Sequence, residues 1–303
     1  MQGCTGLFGE QTWGRSVISK PNHPLFDDIS NWTVTDIPTT GAREKFWVID
    51  EQGTHWLFKF TRENTGEHWA EYLASKLLEV LGLPAPEVKM ASYQGSVGSL
   101  VKKFVNTGPE QFFEGVDLLE VGGHSSAARH LDAYTLNRIR HMLTPMGLAS
   151  EFLAIPLFDA LVGHVDRHPG NWGVIQTVET GAYRLAPVYD NSACLGAEVQ
   201  EERIELLLKD PNAYQAFVFG RPRTLIRIVA GNKGAKHVEI AAYIAENHPE
   251  RFESISEKLE LLNSLTIRGI LAPLGQILSE SRIRFLTKLL EDRRDGLLRL
   301  KHR

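Results

Sequence analysis

The sequence predicts an α+β fold of two lobes, in which a β-rich N-terminal lobe precedes a helical C-terminal lobe. Short β-rich apolar runs bounded by turn residues dominate about the first hundred residues. Apolar residues at three- and four-residue steps, typical of helices, dominate the remainder. A hairpin of two apolar strands, from Asn171 to Asp190, lies near the start of the second lobe. We expect the lobes to cover residues 1–105 and 106–303.

Composition narrows the possible classes of protein. The chain has 303 residues, 43% of them hydrophobic and 23% charged, which is enough for a sizeable core. A net charge of −4 is no signature of binding to nucleic acid or to an anionic membrane, so neither partner is expected. Two cysteines are too few for a disulfide framework. No apolar run reaches the length of a signal peptide or a membrane span, so a cytoplasmic location is expected, with export as an effector left open.

In the N-terminal lobe, apolar runs predict strands at residues 32–35, 46–50, 55–61, 88–93 and 98–105. One amphipathic helix is expected over 67–81, ended by Gly82. The polar, Gly-rich segment 106–130 is interpreted as a linker followed by a variable insert. Helical patterns then occupy 131–142, 149–162, 238–247, 251–262 and 281–299.

The most informative segment is residues 164–171, His-Val-Asp-Arg-His-Pro-Gly-Asn. Pro169 and Gly170 break any helix, so Asp166 and Asn171 are expected on a loop. The hairpin that follows should return Asp190 to the vicinity of Asn171. An Asp, an Asn five residues later and a second Asp after a hairpin is the layout of a phosphoryl-transfer site. It predicts an ATP- and Mg²⁺-dependent kinase in which Asp166 acts on the acceptor hydroxyl and Asn171 and Asp190 hold the metal.

Two other interpretations of this segment remain open at this point. It could be a capped surface loop with ordinary turn residues. His164, His168 and Asp166 could also belong to a metal-hydrolase site, although further ligands at a recognisable spacing are absent from the sequence. In the kinase interpretation, His168 is a structural or phosphate-facing residue beside Asp166, and we group it with the catalytic residues.

A glycine turn precedes the strand at 46–50. Thr40, Gly41 and Ala42 are expected to bring backbone amides close to the phosphates of a nucleotide. A single glycine between strands is usually only a turn. This turn is informative because of its position, before a strand that carries a lysine.

That lysine is Lys59, on a strand whose alternation places it on the opposite face from its aromatic neighbours. We expect Lys59 to bind phosphate and to pair with a carboxylate of the following helix. Glu71 is the preferred partner, and Glu67, one turn earlier, remains an alternative. Lys59 could instead be an edge-strand lysine that prevents strand pairing. The segment that ends this lobe offers Phe104 and Val105 as an adenine-binding wall.

These residues resemble the HipA-like serine/threonine kinases of bacteria, over residues from about 35 to the end. The resemblance is carried by segments 41–45, 58–59, 101–104, 166–171, 185–190 and, less specifically, 278–286. It implies a two-lobed protein-kinase-like fold and a protein acceptor with a Ser or Thr hydroxyl. The catalytic loop is also similar to that of phosphoinositide kinases, but Asp190-Asn191-Ser192 differs from the Asp-Phe-Gly of that class.

The sequence departs from the family in two places. Toxin members carry an additional N-terminal subdomain that docks on an antitoxin, whereas about thirty residues precede the first matched strand here, so an antitoxin-like partner is not expected. Gly170 occupies a position where members often have lysine. Members also silence themselves by phosphorylating a hydroxyl near the Gly turn, which indicates Thr39 or Thr40 here. A phosphoinositide or small-molecule kinase and a nucleotide-binding pseudokinase are the alternative functions.

Overall fold

The computed structural model describes residues 23–39, 44–121 and 131–302. Its strands are β1 (Phe26–Asp28), β2 (Thr33–Val34), β3 (Lys45–Ile49), β4 (His55–Phe60), β5 (Val88–Tyr93), β6 (Ser96–Lys102), β7 (Glu110–Glu114), β8 (Gly173–Thr177) and β9 (Tyr183–Leu185). Its α-helices are α1 (Glu67–Val80), α2 (Gly115–Val121), α3 (Leu136–Leu143), α4 (Ala154–Val162), α5 (Glu201–Lys209), α6 (Pro211–Gln215), α7 (His237–Asn247), α8 (Pro249–Glu260), α9 (Ser264–Leu271) and α10 (Glu280–Leu298).

The N-terminal lobe is a six-stranded sheet in the order β1-β5-β6-β4-β3-β2. β1 runs parallel to β5, and the other neighbours pair antiparallel. Lys59 on β4 lies opposite Lys45 on β3 and Ser99 on β6. Because β4 is an interior strand with partners on both sides, the edge-strand interpretation of Lys59 is wrong.

Helix α1 packs on this sheet through a continuous apolar stripe. Trp69, Leu73 and Leu77 recur at four-residue steps and are almost completely buried. The helix ends at Val80, and Gly82 follows with a φ of 57°, a left-handed conformation that glycine adopts without steric cost. The predicted helix therefore agrees with the structure to within one residue.

A second, three-stranded sheet in the order β7-β8-β9 belongs to the C-terminal lobe. The prediction of a linker and insert over 106–130 is wrong in part, because β7 and α2 form within it; residues 122–130 lie outside the described ranges. Phe112 and Phe113 allow β7 to pair with β8 in this acidic segment. The predicted second strand of the hairpin ends at Leu185 instead of Asp190, and Pro187, which lacks an N–H, lies just beyond it.

The helical half follows the predicted periodicity in α7, α8 and α10. The first two predicted helices start later than expected, because short 3₁₀ turns precede α3 and α4. All nine residues of α4 are buried, and this helix is central to the large core that joins α1 to the C-terminal helices. The two-lobed α+β class is confirmed. None of the described helices is both long and apolar enough to cross a membrane.

Candidate active site

A cavity of about 640 Å³ lies between the two lobes. Seven of the predicted site residues line it, namely Lys59, Phe104, Val105, Asp166, His168, Asn171 and Asp190. Thr39 lines it as well, whereas the predicted phosphate-binding residues Thr40, Gly41 and Ala42 lie outside the described ranges. The structure thus brings together residues that are far apart in the chain.

Lys59 joins the two lobes at this cavity. Its Nζ lies 3.1 Å from Oδ1 of Asp190 and 3.5 Å from Oε2 of Glu71. The other oxygen of Glu71 accepts a hydrogen bond of 3.0 Å from the backbone N–H of Asn191. Glu67 pairs with Arg62 at 2.9 Å. Of the two glutamates that the sequence left open, Glu71 is therefore the one in contact with Lys59.

The catalytic loop begins where α4 ends, at Gly163, whose φ of 69° is left-handed. A 3₁₀ turn over Pro169–Asn171 closes the loop, and Nδ1 of His168 accepts the N–H of Gly170 at 3.0 Å. The side-chain nitrogen of Asn171 donates to the carbonyl of Asp166 at 2.7 Å. The amide oxygen of Asn171 remains as the atom suited to a cation.

Arg167 is a buried residue of this loop that sequence reasoning did not single out. Its guanidinium donates to both carboxylate oxygens of Asp159 on α4, at 2.8 to 3.3 Å. Further hydrogen bonds join it to the carbonyls of Asn171 and Tyr189 and to Oδ1 of Asn191. Burial raises the pKa of the Asp159 carboxyl, and the adjacent guanidinium opposes that rise. The sequence feature that could have indicated this role is Asp159. A carboxylate within an apolar run is expected to be buried and therefore to require a charged or hydrogen-bonding partner.

His164 supports the residue that carries the second carboxylate. Its Nε2 donates to the backbone carbonyl of Asp190 at 3.0 Å, while Asp190 adopts a φ of 57°. Burial, and then the charge of Arg167, lower the pKa of His164 well below its ordinary value, so the ring is neutral. His164 faces this carbonyl, and no cluster of three or more His, Cys, Asp or Glu side chains suited to a metal occurs among the described residues. The metal-hydrolase interpretation is therefore not supported.

Three aromatic side chains, Phe104, Phe112 and Tyr189, form a cluster that lines the cavity. The ring of Tyr189 lies 5.5 Å from that of Phe104 and 6.0 Å from that of Phe112, and its hydroxyl donates to the carbonyl of Gly170. Glu114, at the end of β7, is half-buried, and burial followed by the charge of Asp117 raises its pKa. The sequence did not reveal Tyr189, Phe112 or Glu114 as cavity residues; the positions of Phe112 and Glu114 depend on the pairing of β7 with β8.

An interior-strand lysine, a helix glutamate and an Asp/Asn loop that meet between a β-rich and a helical lobe define the two-lobed kinase class. Within that class, the chain belongs to the HipA-like C-terminal domain family, whose model matches residues 37–252. The resemblance that the sequence indicated is confirmed.

Individual relatives agree with this assignment. The serine/threonine-protein kinase CtkA of Helicobacter pylori strain J99 is 21% identical over 244 residues, which cover 77% of this chain and 72% of CtkA. The crystal structure of the proinflammatory kinase CtkA of Helicobacter pylori matches with a TM-score of 0.77 and 19% identity, over 91% of this chain and 97% of that one. The structure of HipA of Shewanella oneidensis MR-1 with HipB and operator DNA matches with a TM-score of 0.54 and 14% identity. The match covers 88% of this chain and 64% of that one.

Proposed function

We propose that this protein transfers the γ-phosphate of ATP to a Ser or Thr hydroxyl of a protein, in a reaction that requires Mg²⁺. The observation that carries the proposal is the position of Lys59 between Glu71 and Asp190, at a cavity that Asp166 and Asn171 also line. A strand lysine held by a helix glutamate is the arrangement that kinases use to position nucleotide phosphates. The name of the relative CtkA supports a Ser or Thr acceptor.

The cavity offers a separate place for each part of the nucleotide. Phe104 and Val105 follow β6, where backbone groups and apolar side chains are available to an adenine ring. Lys59, which contacts Glu71 and Asp190, would contact the phosphates. The segment that contains Thr40, Gly41 and Ala42 would cover them, with backbone amides as donors.

The residues present fit a magnesium ion. Asp190 contributes a carboxylate and Asn171 an amide oxygen, and Mg²⁺ is typically bound through one or two carboxylates together with substrate phosphates. When bound, the ion would neutralise charge on the phosphates that are separated during transfer. Lys59, which lies 3.1 Å from Asp190, would place a further positive charge beside the phosphates.

Asp166 would act on the acceptor. Its side chain is partly exposed to the cavity, while its backbone carbonyl is held by Asn171. The carboxylate would accept a hydrogen bond from an incoming hydroxyl, orient its oxygen toward the γ-phosphate and take up the proton as the new P–O bond forms and the bond to the leaving ADP breaks. His168 holds the turn that follows and thereby supports the position of Asp166.

Incubation of the protein with labelled ATP, with and without Mg²⁺, tests the proposal directly. We expect Mg²⁺-dependent transfer to protein, and Asp190→Asn should abolish the metal dependence of nucleotide binding because the ion loses its charged ligand. Isothermal titration measures that binding. Nucleotide binding that is insensitive to Mg²⁺ in the wild-type protein would favour a pseudokinase, and transfer to inositol lipids or small molecules alone would favour the other alternative.

Autophosphorylation belongs to the same proposal. Thr39 lines the cavity, and its hydroxyl lies 3.4 Å from the carbonyl of Lys45. A phosphate on Thr39 or Thr40 would add close to two negative charges beside the nucleotide phosphates and would oppose ATP binding. Phosphopeptide mapping after incubation with Mg²⁺-ATP should find one of these residues modified. Two unmodified threonines in an active preparation would contradict this part of the proposal.

A further inference from the structure

A second cavity, of about 520 Å³, lies near the N-terminal end of α4, away from the catalytic loop that follows the other end. We call it the basal cavity, and the residues that matter for it are Arg140, Ser150, His248, Glu250, Arg251 and Ser254. It shares no lining residue with the cavity between the lobes. The nine residues of α4, at 1.5 Å each, separate the two regions by about 13 Å.

Two arginines, Arg140 and Arg251, line this cavity without an ion-paired carboxylate. Among residues 23–39, 44–121 and 131–302, neither Arg140 nor Arg251 has an acidic side chain within ion-pair distance. In the same part of the chain, the Nε atoms of both arginines and Nε2 of His248 are buried and make no hydrogen bond. One guanidinium nitrogen of Arg251 reaches the carbonyl of Glu151 at 3.5 Å, which holds that side chain at the cavity.

Burial, and after it the charge of Arg140, lower the pKa of His248, so these two side chains interact electrostatically. Arg140 and Arg251 are two cations that line one cavity, and an anion between them would offset their mutual repulsion. Unpaired buried donors carry a further cost that a ligand with several acceptor oxygens would remove.

The chemistry of the lining favours a phosphate group over a simple halide. Guanidinium groups match the geometry of phosphate oxygens and form paired, charge-assisted hydrogen bonds with them. Ser150 and Ser254 add hydroxyl donors. Helix α8 begins here at Pro249 without a side-chain cap, so backbone N–H groups of its first turn are also available.

We propose that the basal cavity binds a small phosphate-bearing anion, either inorganic phosphate or the phosphoryl group of a phosphomonoester. Glu250 is the single acidic residue among the lining residues of this cavity, and its side chain is exposed. Its charge would oppose the ligand and limit the affinity. This site is independent of the proposed kinase activity, since it uses none of the residues assigned to that reaction.

Isothermal titration of the full chain with inorganic phosphate, and separately with O-phosphoserine, tests the proposal. Arg140→Gln and Arg251→Gln should each weaken binding by about tenfold, the loss expected for a charge-assisted hydrogen bond. Glu250→Gln should strengthen it by about threefold, a gain that an unfolding artefact cannot produce. Arg268→Gln, on α9 and outside both cavities, is the matched control and should not change the affinity.

The double variant Lys59→Met/Glu71→Gln separates the two cavities. We expect it to retain the phosphate binding that Arg140→Gln and Arg251→Gln lose. Binding that is lost in the double variant but unchanged in the two arginine variants would place the anion between the lobes and overturn the proposal, as would a wild-type protein that binds neither ligand. Tighter binding of O-phosphoserine than of phosphate would identify a phosphomonoester as the ligand, and the reverse order would identify the free ion.

Discussion

Two ion pairs, one from each lobe, hold the same three-residue segment, Tyr189 to Asn191. From the N-terminal lobe, Lys59 contacts the side chain of Asp190 while its partner Glu71 accepts the N–H of Asn191. From the C-terminal lobe, Arg167 pairs with Asp159 and donates to the carbonyl of Tyr189 and to the side chain of Asn191. The two pairs therefore contact the same segment, one from each lobe.

The two pairs differ in access to solvent, and we expect this difference to separate a binding role from a structural one. The side chains of Arg167 and Asp159 are 0% exposed, and the guanidinium is surrounded by carboxylate, carbonyl and amide acceptors. The Lys59 side chain is 10% exposed and that of Asp190 30%, and both line the cavity. A ligand can replace the partners of Lys59, whereas a ligand cannot reach Arg167 without unfolding the loop.

The largest expected effect on stability comes from the fully buried pair of Arg167 and Asp159. Arg167→Met should lower the free energy of unfolding by about 3 to 5 kcal/mol, because Asp159 is left buried without a partner. The double variant Arg167→Met/Asp159→Leu should recover much of that loss, since it removes both charges. Urea denaturation measures both values. Equal stability of the single and double variants would show that packing, not charge, accounts for the loss.

Asp166 belongs to the same loop but lines the cavity, and Asp166→Asn should leave the fold and ATP binding unchanged. Transfer should fall roughly a hundredfold or more, because the amide keeps the shape of the side chain but cannot take up a proton. Turnover rates and thermal unfolding together check this result. A parallel fall in the unfolding temperature would mean that Asp166, like Arg167, has a structural role.

Neutralising the pair of Lys59 and Glu71 is expected to have a smaller effect that is confined to ligand binding. Lys59→Met/Glu71→Gln should weaken ATP binding by roughly tenfold or more, the contribution of a charged contact to phosphate. The free energy of unfolding should change by only about 1 kcal/mol, because the Asp190 carboxylate that loses Lys59 is 30% exposed and can be hydrated. Isothermal titration and urea denaturation provide the two numbers. A large loss of stability with normal ATP affinity would reverse the roles of the two ion pairs.

The smallest expected effect concerns the buried His237. Burial, and then the charge of Arg293, lower its pKa from 6.5 to about 3. Below pH 6.5, His237 is protonated in the unfolded chain but stays neutral in the folded chain. The free energy of unfolding therefore decreases as the pH falls from 6.5 toward 3. His237→Leu should therefore reduce the loss of stability between pH 7 and pH 5.5 by about 1.4 kcal/mol. An unchanged pH dependence would mean that this residue is protonated equally in both states.

Local patterns predicted much of this molecule because they act over short distances. Strand β5 has the predicted limits, α1 ends within one residue of its prediction, and the alternation that separates Lys59 from Phe58 is observed, since Lys59 lines the cavity and Phe58 is in the core. The Asp-Asn-Asp spacing also predicted which residues meet at the cavity. Their catalytic and metal-binding roles stay predictions.

Features that depend on pairing between distant segments were not predictable in this way. β7 is formed by an acidic segment whose apolar face becomes visible only when β8 lies beside it. The role of Arg167 required knowing that Asp159, Asn171 and Asn191 converge in three dimensions. A single sequence contains these residues but not the contacts among them.

The left-handed Gly163 at the end of α4 has a consequence for the evolution of the family. A side chain at this position would overlap the guanidinium of Arg293, a buried residue of α10. A substitution at position 163 therefore requires the arginine to move or to be replaced, so the two residues should change together. Relatives that carry a side chain at position 163 are expected to lack arginine at position 293, a covariation that can be sought in any large alignment of the family.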